Sequence, residues 1–155
     1  MKLIAHRGNI DGPNSSQENR PEYIEAAIAK GYDVEIDIRY DTFNKILYLG
    51  HDESQYPTSW FWIGKYIHHL WVHCKNIEAL YEFAHGTSGF NYFWHQEDDF
   101  TLTSKNYIWT YPGKSYTPKS IIVMPELNHK IKFEDLKALS CFGICSDFVH
   151  KIKFQ

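Results

Sequence analysis

The sequence predicts one α/β domain over residues 1–155, organised on a parallel sheet. Three observations carry that prediction. The 155-residue length suits a single domain on a prior of roughly 100–200 residues each. Short apolar or alternating runs repeatedly give way to segments with helical spacing, the order expected when strands and helices take turns. Polar residues able to do chemistry stand where the predicted strands end, which is the edge on which parallel sheets carry function.

Each element has a local reason. Leu3-Ile4-Ala5 reads as a short buried strand that stops at His6-Arg7-Gly8, and a loop rich in Asn, Asp, Gly, Pro and Ser follows through Asn19. Pro21 suits the first turn of a helix of about ten residues, with Ile24, Ala27 and Ile28 at helical spacing and Gly31 at a left-handed cap. From Val34 to Arg39 the chain alternates strictly, Val34, Ile36 and Ile38 on one face and Glu35, Asp37 and Arg39 on the other, so it is a strand. After a turn over residues 41–45, Ile46 to Leu49 folds back as a hairpin and runs into Gly50-His51-Asp52. The aromatic stretch from Trp60 to His69 fits neither period. Leu70 to Lys75 is another strand, and Ile77, Leu80, Tyr81 and Ala84 mark a helix that closes near Gly86. Further strands are expected at Tyr92 to His95, Tyr107 to Tyr111, Ile121 to Met124 and Phe142 to Phe148, with a helix marked by Phe133, Leu136 and Leu139 before the last.

Composition excludes several classes of protein. With 43% hydrophobic and 23% charged residues, the chain is an ordinary globule rather than a disordered one. A formal net charge of −3 argues against nucleic-acid binding, which needs clustered surplus Lys and Arg. Acidic residues outnumber basic ones in residues 1–60 and the balance reverses from Lys114 onward, which permits a cation site early in the chain. Cys74, Cys141 and Cys145 form no CxxC pair, so they read as small buried side chains in a reducing compartment rather than as disulfides or a thiolate zinc site. No apolar run approaches the ~18 residues of a membrane span, and the apolar stretch before His6 is too short for a signal peptide. A cytoplasmic location is expected.

The chemistry concentrates at four places: His6-Arg7, Glu35 with Asp37, His51, and His73 with Lys75. Two residues apart on a strand, Glu35 and Asp37 project from the same face, and as neighbours inside a closed sheet they would repel unless a cation bridged them. A hard divalent ion fits that need. His6-Arg7-Gly8, Glu18-Asn19 before Pro21-Glu22-Tyr23, Gly31-Tyr32-Asp33-Val34-Glu35-Ile36-Asp37 and Gly50-His51-Asp52 together resemble the glycerophosphodiester phosphodiesterase family, related to phosphatidylinositol-specific phospholipase C-like enzymes. The ordered match covers about the first third of the chain. It implies a metal-dependent phosphodiesterase of lipid metabolism on a β/α barrel. His6 and His51 would be the acid/base pair, Arg7 would sit on the phosphate, and Glu35 and Asp37 on the metal. The expected substrate is a glycerophosphodiester or similar small soluble diester.

Two departures qualify the resemblance. The family places a Glu two residues before a Lys on the third strand as another metal ligand, and here His73 holds that position before Lys75. An imidazole moves the preference from Mg²⁺ or Ca²⁺ toward Mn²⁺ or Zn²⁺, and Glu126 is a candidate substitute carboxylate. A full eight-stranded barrel takes about 250 residues, so a reduced TIM-like barrel of about seven strands with shortened or missing helices is expected.

Blander readings compete at each position. Glu35 and Asp37 taken alone are the wet face of an amphipathic strand, and Lys75 alone is a surface lysine. Glu18 and Asn19 either shape the loop and the start of the helix, or Glu18 braces Arg7. His95 is a core histidine or a secondary site residue, and the aromatic strand at Tyr107 to Tyr111 is core or a substrate-stacking surface. Ser146-Asp147 either ends a final strand of the site or caps it. His68, His69, His85, His129 and His150 lack ligand spacing and read as surface or core. Three functions are in contention: diester hydrolysis, binding of phosphate and metal without turnover, and a lyase or phosphotransferase that stops at a cyclic phosphate.

Overall fold

The computed structural model describes residues 1–86, 89–128 and 131–154, so His129 lies outside the described residues. The elements follow in the order β1 (Lys2–His6), α1 (Pro21–Ala29), β2 (Asp33–Asp41), β3 (Ile46–Leu49), β4 (Tyr56–Thr58), α2 (Trp60–Lys65), β5 (Leu70–Cys74), α3 (Ile77–Gly86), β6 (Asn91–Phe93), β7 (Phe100–Leu102), β8 (Ile108–Thr110), β9 (Ser120–Val123), β10 (Gly143–Ser146) and α4 (Val149–Lys153). Seven strands run parallel in the order β6-β5-β2-β1-β10-β9-β8. Antiparallel β3 and β4 extend the distal half of β2, and antiparallel β7 borders β8.

The sheet is curled. Six inter-strand steps of about 4.8 Å would hold β6 and β8 roughly 29 Å apart on a flat surface, yet the rings of Phe93 and Trp109 are 4.5 Å apart. One face therefore turns inward, and Ile4, Trp71, Phe93, Trp109, Ile121 and Cys145 fill it as an apolar cluster drawn from six strands. No strand ladder joins β6 to β7 or β8 among the described residues; Ser104 N donates to Tyr92 O at 2.9 Å across that seam. On the convex face, α1, α2 and α3 cover β2, β3 and β5 through Ile24, Ala27, Ile63, Ala79 and Phe83. No α-helix joins β8 to β9, and among the described residues only 3-10 turns at Pro125–Leu127 and Phe133–Ala138 stand between β9 and β10.

The α/β class, the parallel order and the reduced helical layer agree with the sequence. Several details differ. The wet-face alternative for β2 is the one that fails: Glu35 is 2% and Asp37 0% exposed, enclosed as the paired-site reading expects, because the curl turns this face inward. Strand ten stops at Ser146, and the chain turns at Asp147-Phe148 into α4, which no periodic signal marked. The Phe133 segment is a 3-10 helix rather than an α-helix. The aromatic stretch resolves into α2, capped by Ser59 Oγ accepting from Trp62 N at 3.1 Å. Strands β4 and β7, three residues each, are too short to show a period. Cys74 and Cys145 are buried and Cys141 is partly exposed; all three are free. His68, His69, His85 and His150 are exposed. No helix is long and apolar enough to cross a membrane.

One glycine sets the position of the second site histidine. Gly50 has φ +147°, its N–H donates to Asp37 O at 3.1 Å, and a Cβ there would run into the Glu53 carbonyl oxygen. Gly50→Ala is expected to cost roughly 1–3 kcal/mol and to shift His51. A urea titration measures the cost, and an unchanged midpoint would show that the turn tolerates a side chain.

Candidate functional site

Strand register assembles the site. Parallel pairing sets His6 beside Glu35 across β1 and β2, and Asp37 beside His73 across β2 and β5. The side chains of β2 that alternate inward therefore meet the ends of both neighbours. His51 arrives from the end of β3, and Lys75 follows β5 with its N–H donating to Ile38 O at 2.8 Å. His6, Arg7, Glu35, His51, His73, Lys75 and His95 line one cavity of about 370 Å³. Asp37 lies directly behind Arg7.

The two site histidines are held in the same way. His6 Nδ1 donates to Asp147 Oδ1 at 2.9 Å, and His51 Nδ1 donates to Asp52 Oδ1 at 2.6 Å. Each ring thus keeps its proton on Nδ1 and leaves Nε2 for chemistry. His51 Nε2 is 3.3 Å from Lys75 Nζ. Burial alone would depress His6, but the Asp147 hydrogen bond and the Glu35 charge outweigh it and hold the imidazole above its ordinary pKa. Asp147 moves the other way: burial would raise it, and His6 and Asn9 keep it below the usual carboxylate value.

Arg7 takes a left-handed backbone, φ 53°, and its N–H faces Glu35, 3.0 Å from the carbonyl and 3.3 Å from Oε2. Its guanidinium spans Glu18 Oε2 at 3.1 Å and Asp37 Oδ2 at 2.9 Å. Of the two readings for Glu18, bracing Arg7 is the one the contacts show. Asn19, also left-handed at φ 62°, donates to Asp37 Oδ2 at 2.9 Å and accepts from Asp37 N at 3.0 Å.

His73 Nε2 donates to the His95 carbonyl at 2.8 Å, and the ring stacks on Phe93 at 4.9 Å. That fixes Nδ1 toward the acids, 3.5 Å from Glu35 Oε1 and 3.3 Å from Asp37 Oδ1. Glu35, Asp37 and His73 each offer one ligand atom, all within 4.8 Å of one another, so they could hold a metal ion. Asp37 Oδ1 is buried and has no hydrogen-bond partner, an orphan that a bound cation would satisfy. His95 is placed second in line, its carbonyl steadying His73 and its Nε2 donating to Asp98 O at 2.5 Å. Glu126 stands outside the Glu35, Asp37 and His73 group: its Oε1 accepts from Ser146 Oγ at 2.8 Å and Asp147 N at 3.0 Å, so it braces Asp147 instead.

With no ion between them, burial would depress His73, but the facing Asp37 and Glu35 raise it to about 9. An unfolded histidine titrates near ~6.5, so this contribution is whole below that pH and is lost as pH rises through the folded value, up to about 3 kcal/mol in all. Chelator-treated protein is therefore expected to lose stability between pH 6.5 and about 9, and His73→Gln to lose much less over the same range. Denaturant midpoints across that window compare the two, and equal slopes would disprove the assignment.

Asp147, Asn9 and Asn19 are the residues that sequence reasoning missed or left undecided. Asn9 Nδ2 joins Glu18 Oε1 at 2.9 Å to Asp147 Oδ1 at 2.8 Å, tying the first loop to the last strand. The available signal was positional: Asp147 follows an apolar strand as His6 does.

No family model, no curated protein and no solved structure matches this chain.

Proposed function

We propose that the chain is a metal-dependent phosphodiester hydrolase acting on a small phosphodiester by two-histidine acid/base catalysis. The observation that carries this reading is the meeting of two aspartate-held histidines with Arg7, Lys75 and a Glu35, Asp37 and His73 group on one cavity. Seven parallel strands with function at their C-terminal ends support a reduced TIM-like barrel of the glycerophosphodiester phosphodiesterase type. The free cysteines support a reducing, cytoplasmic setting.

In the reaction a water oxygen forms a bond to phosphorus while the bond from phosphorus to one alcohol oxygen breaks. One histidine takes the water proton and the other gives a proton to the departing alkoxide, so the pair returns to its starting charge after one exchange with solvent. Arg7 and Lys75 hold the non-bridging oxygens, Arg7 through a planar guanidinium kept oriented by Glu18 and Asp37. A divalent ion held by Glu35, Asp37 and His73, with Mg²⁺, Ca²⁺, Mn²⁺ or Zn²⁺ as candidates, supplies charge stabilisation at the phosphoryl group. Attack by a neighbouring substrate hydroxyl instead of water gives a cyclic phosphate, which phosphorus NMR of the products distinguishes.

A second reading has its own observation. His73 Nδ1 lies within ion-pair distance of both acids, so its proton can occupy the cation position and leave a metal-independent enzyme. Hydrolysis of bis(p-nitrophenyl) phosphate, with and without chelator and with each ion added back, separates the readings. Loss on chelation and recovery with an ion supports the first, activity that survives chelation supports the second, and no turnover under any condition leaves the binding module.

A further inference from the structure

The cavity has two unlike walls, and only one has a task in the proposed reaction. His6, Arg7, Glu35, His51, His73 and Lys75 make the first, from the ends of β1, β2, β3 and β5. The opposite wall comes from β8, β9 and the segments that follow them, and Trp109, Tyr111, Pro112, Val123, Met124 and Leu127 make it. No charged side chain stands among these six. The polar lining beside them is His95 and Gln96, and His95 Nε2 is engaged by Asp98 O.

This wall is built with some care. Trp109, 4% exposed, is its floor and is pinned by Phe93 at 4.5 Å and Trp71 at 6.0 Å. Met124 sits in the left-handed region at φ 46°, costly for a non-glycine residue, and is kept there by Met124 N donating to Cys145 O at 2.8 Å and by Pro125 behind it. The next turn hangs Leu127 over the mouth, 60% exposed, with its N–H donating to Met124 O at 3.0 Å. Glu126 in the same turn holds Asp147 N, so the apolar wall and the His6 support share one anchor. Across the mouth Tyr111 is 44% exposed, its ring 5.6 Å from that of His95.

Resting on the hydrolase reading, we infer that one alcohol of the substrate diester is apolar, an alkyl or aryl group rather than glycerol. A glycerol placed against this wall would lose water from its hydroxyls and find few partners, whereas an alkyl or aryl group loses nothing and covers apolar surface. The cavity of about 370 Å³ is near the small end of ligand clefts, roughly 300–1,000 Å³. It takes the phosphate and the first part of the alcohol, and a longer chain leaves over Tyr111 and Leu127. This departs from the glycerophosphodiester that the first-third motifs imply.

The test uses three diesters of similar leaving-group basicity: bis(glyceryl), glyceryl hexyl and glyceryl benzyl phosphate, in competition and followed by phosphorus NMR. The hexyl or benzyl diester is expected to show a kcat/KM at least roughly 10-fold above the glyceryl one, and whichever leads tells alkyl from aryl. Leu127→Asn and Tyr111→Ser are expected to shrink that ratio. Turnover of all three at equal or glyceryl-favouring rates overturns the inference and leaves the hydrolase standing. If none is turned over, the hydrolase reading falls, and calorimetric binding of hexyl, benzyl and glyceryl phosphate then decides this inference, with equal affinities overturning it.

Discussion

His6→Ala is expected to lower diester turnover by roughly 10²–10⁴-fold. Of the two imidazoles proposed for acid/base work, His6 is the one paired with a buried carboxylate, Asp147, whereas the partner of His51 is Asp52, which is largely exposed. Removing the ring takes away both the proton carrier and the group that Asp147 orients. Asp147→Asn is the sharper companion. The amide can donate to Nδ1 and so moves the ring proton to Nε2, the wrong nitrogen for a base facing the cavity. Asp147 is also a reason that His6 titrates above its ordinary value. In Asp147→Asn the His6 limb of the kcat/KM profile therefore moves to lower pH, which a merely structural role for Asp147 would leave in place. Full activity in His6→Ala would sink the two-histidine proposal whatever the fate of the metal.

His6, Glu35, Asp37, His51, His73 and Lys75 were legible in the sequence because each depends on short-range pattern: a strand of known period, and a polar residue at its exit. Parallel register then does the rest, since residues at matching exits become neighbours without further specification. Asp147 was not legible as the partner of His6. The two are separated by almost the whole chain, and their meeting depends on β10 pairing with β1 at Ala5 and Ser146, a long-range fact that no local spacing records. The inward turn of Glu35 and Asp37 is not carried by alternation alone, and it was the flanking His6 and His51 that favoured an enclosed pair over a wet strand face. Alternation says that two faces differ, but only the curl of the whole sheet says that the charged one is enclosed. Glu126 stands at a strand exit, where a carboxylate can face a metal or a neighbouring backbone, and here its Oε1 accepts from Asp147 N and Ser146 Oγ.

The other large effect is expected at Asp37, the most enclosed charge of the site. Its Oδ2 faces Arg7 Nε at 2.9 Å and Asn19 Nδ2 at 2.9 Å, while Oδ1 faces His73 Nδ1 at 3.3 Å and Lys75 Nζ at 4.0 Å. Burial would raise its pKa, but His73, Arg7 and Asn19 hold it far below the usual carboxylate range. Its charge therefore stabilises the fold at all pH values above the unfolded value, near ~3.9, and that contribution fades only as pH falls below it. Asp37→Ala leaves three cationic groups facing one another in a poorly hydrated pocket. Breaking a buried pair from one side costs about 3–5 kcal/mol, which in a domain of this size lowers the melting temperature on the order of 10 °C. Asp37→Asn keeps the shape and one hydrogen-bond acceptor, so its cost should fall between wild type and alanine. The pair Asp37→Ala and His73→Gln, made singly and together, adds a further constraint. If the aspartate chiefly offsets the charge on His73, the double variant melts above the sum of the single losses, because removing the cation relieves the repulsion left by removing the acid. Strict additivity would mean that Arg7 and Asn19, rather than His73, are what Asp37 holds in place, and the acid group proposed to bind the ion would then be chiefly a clamp for the phosphate-binding arginine.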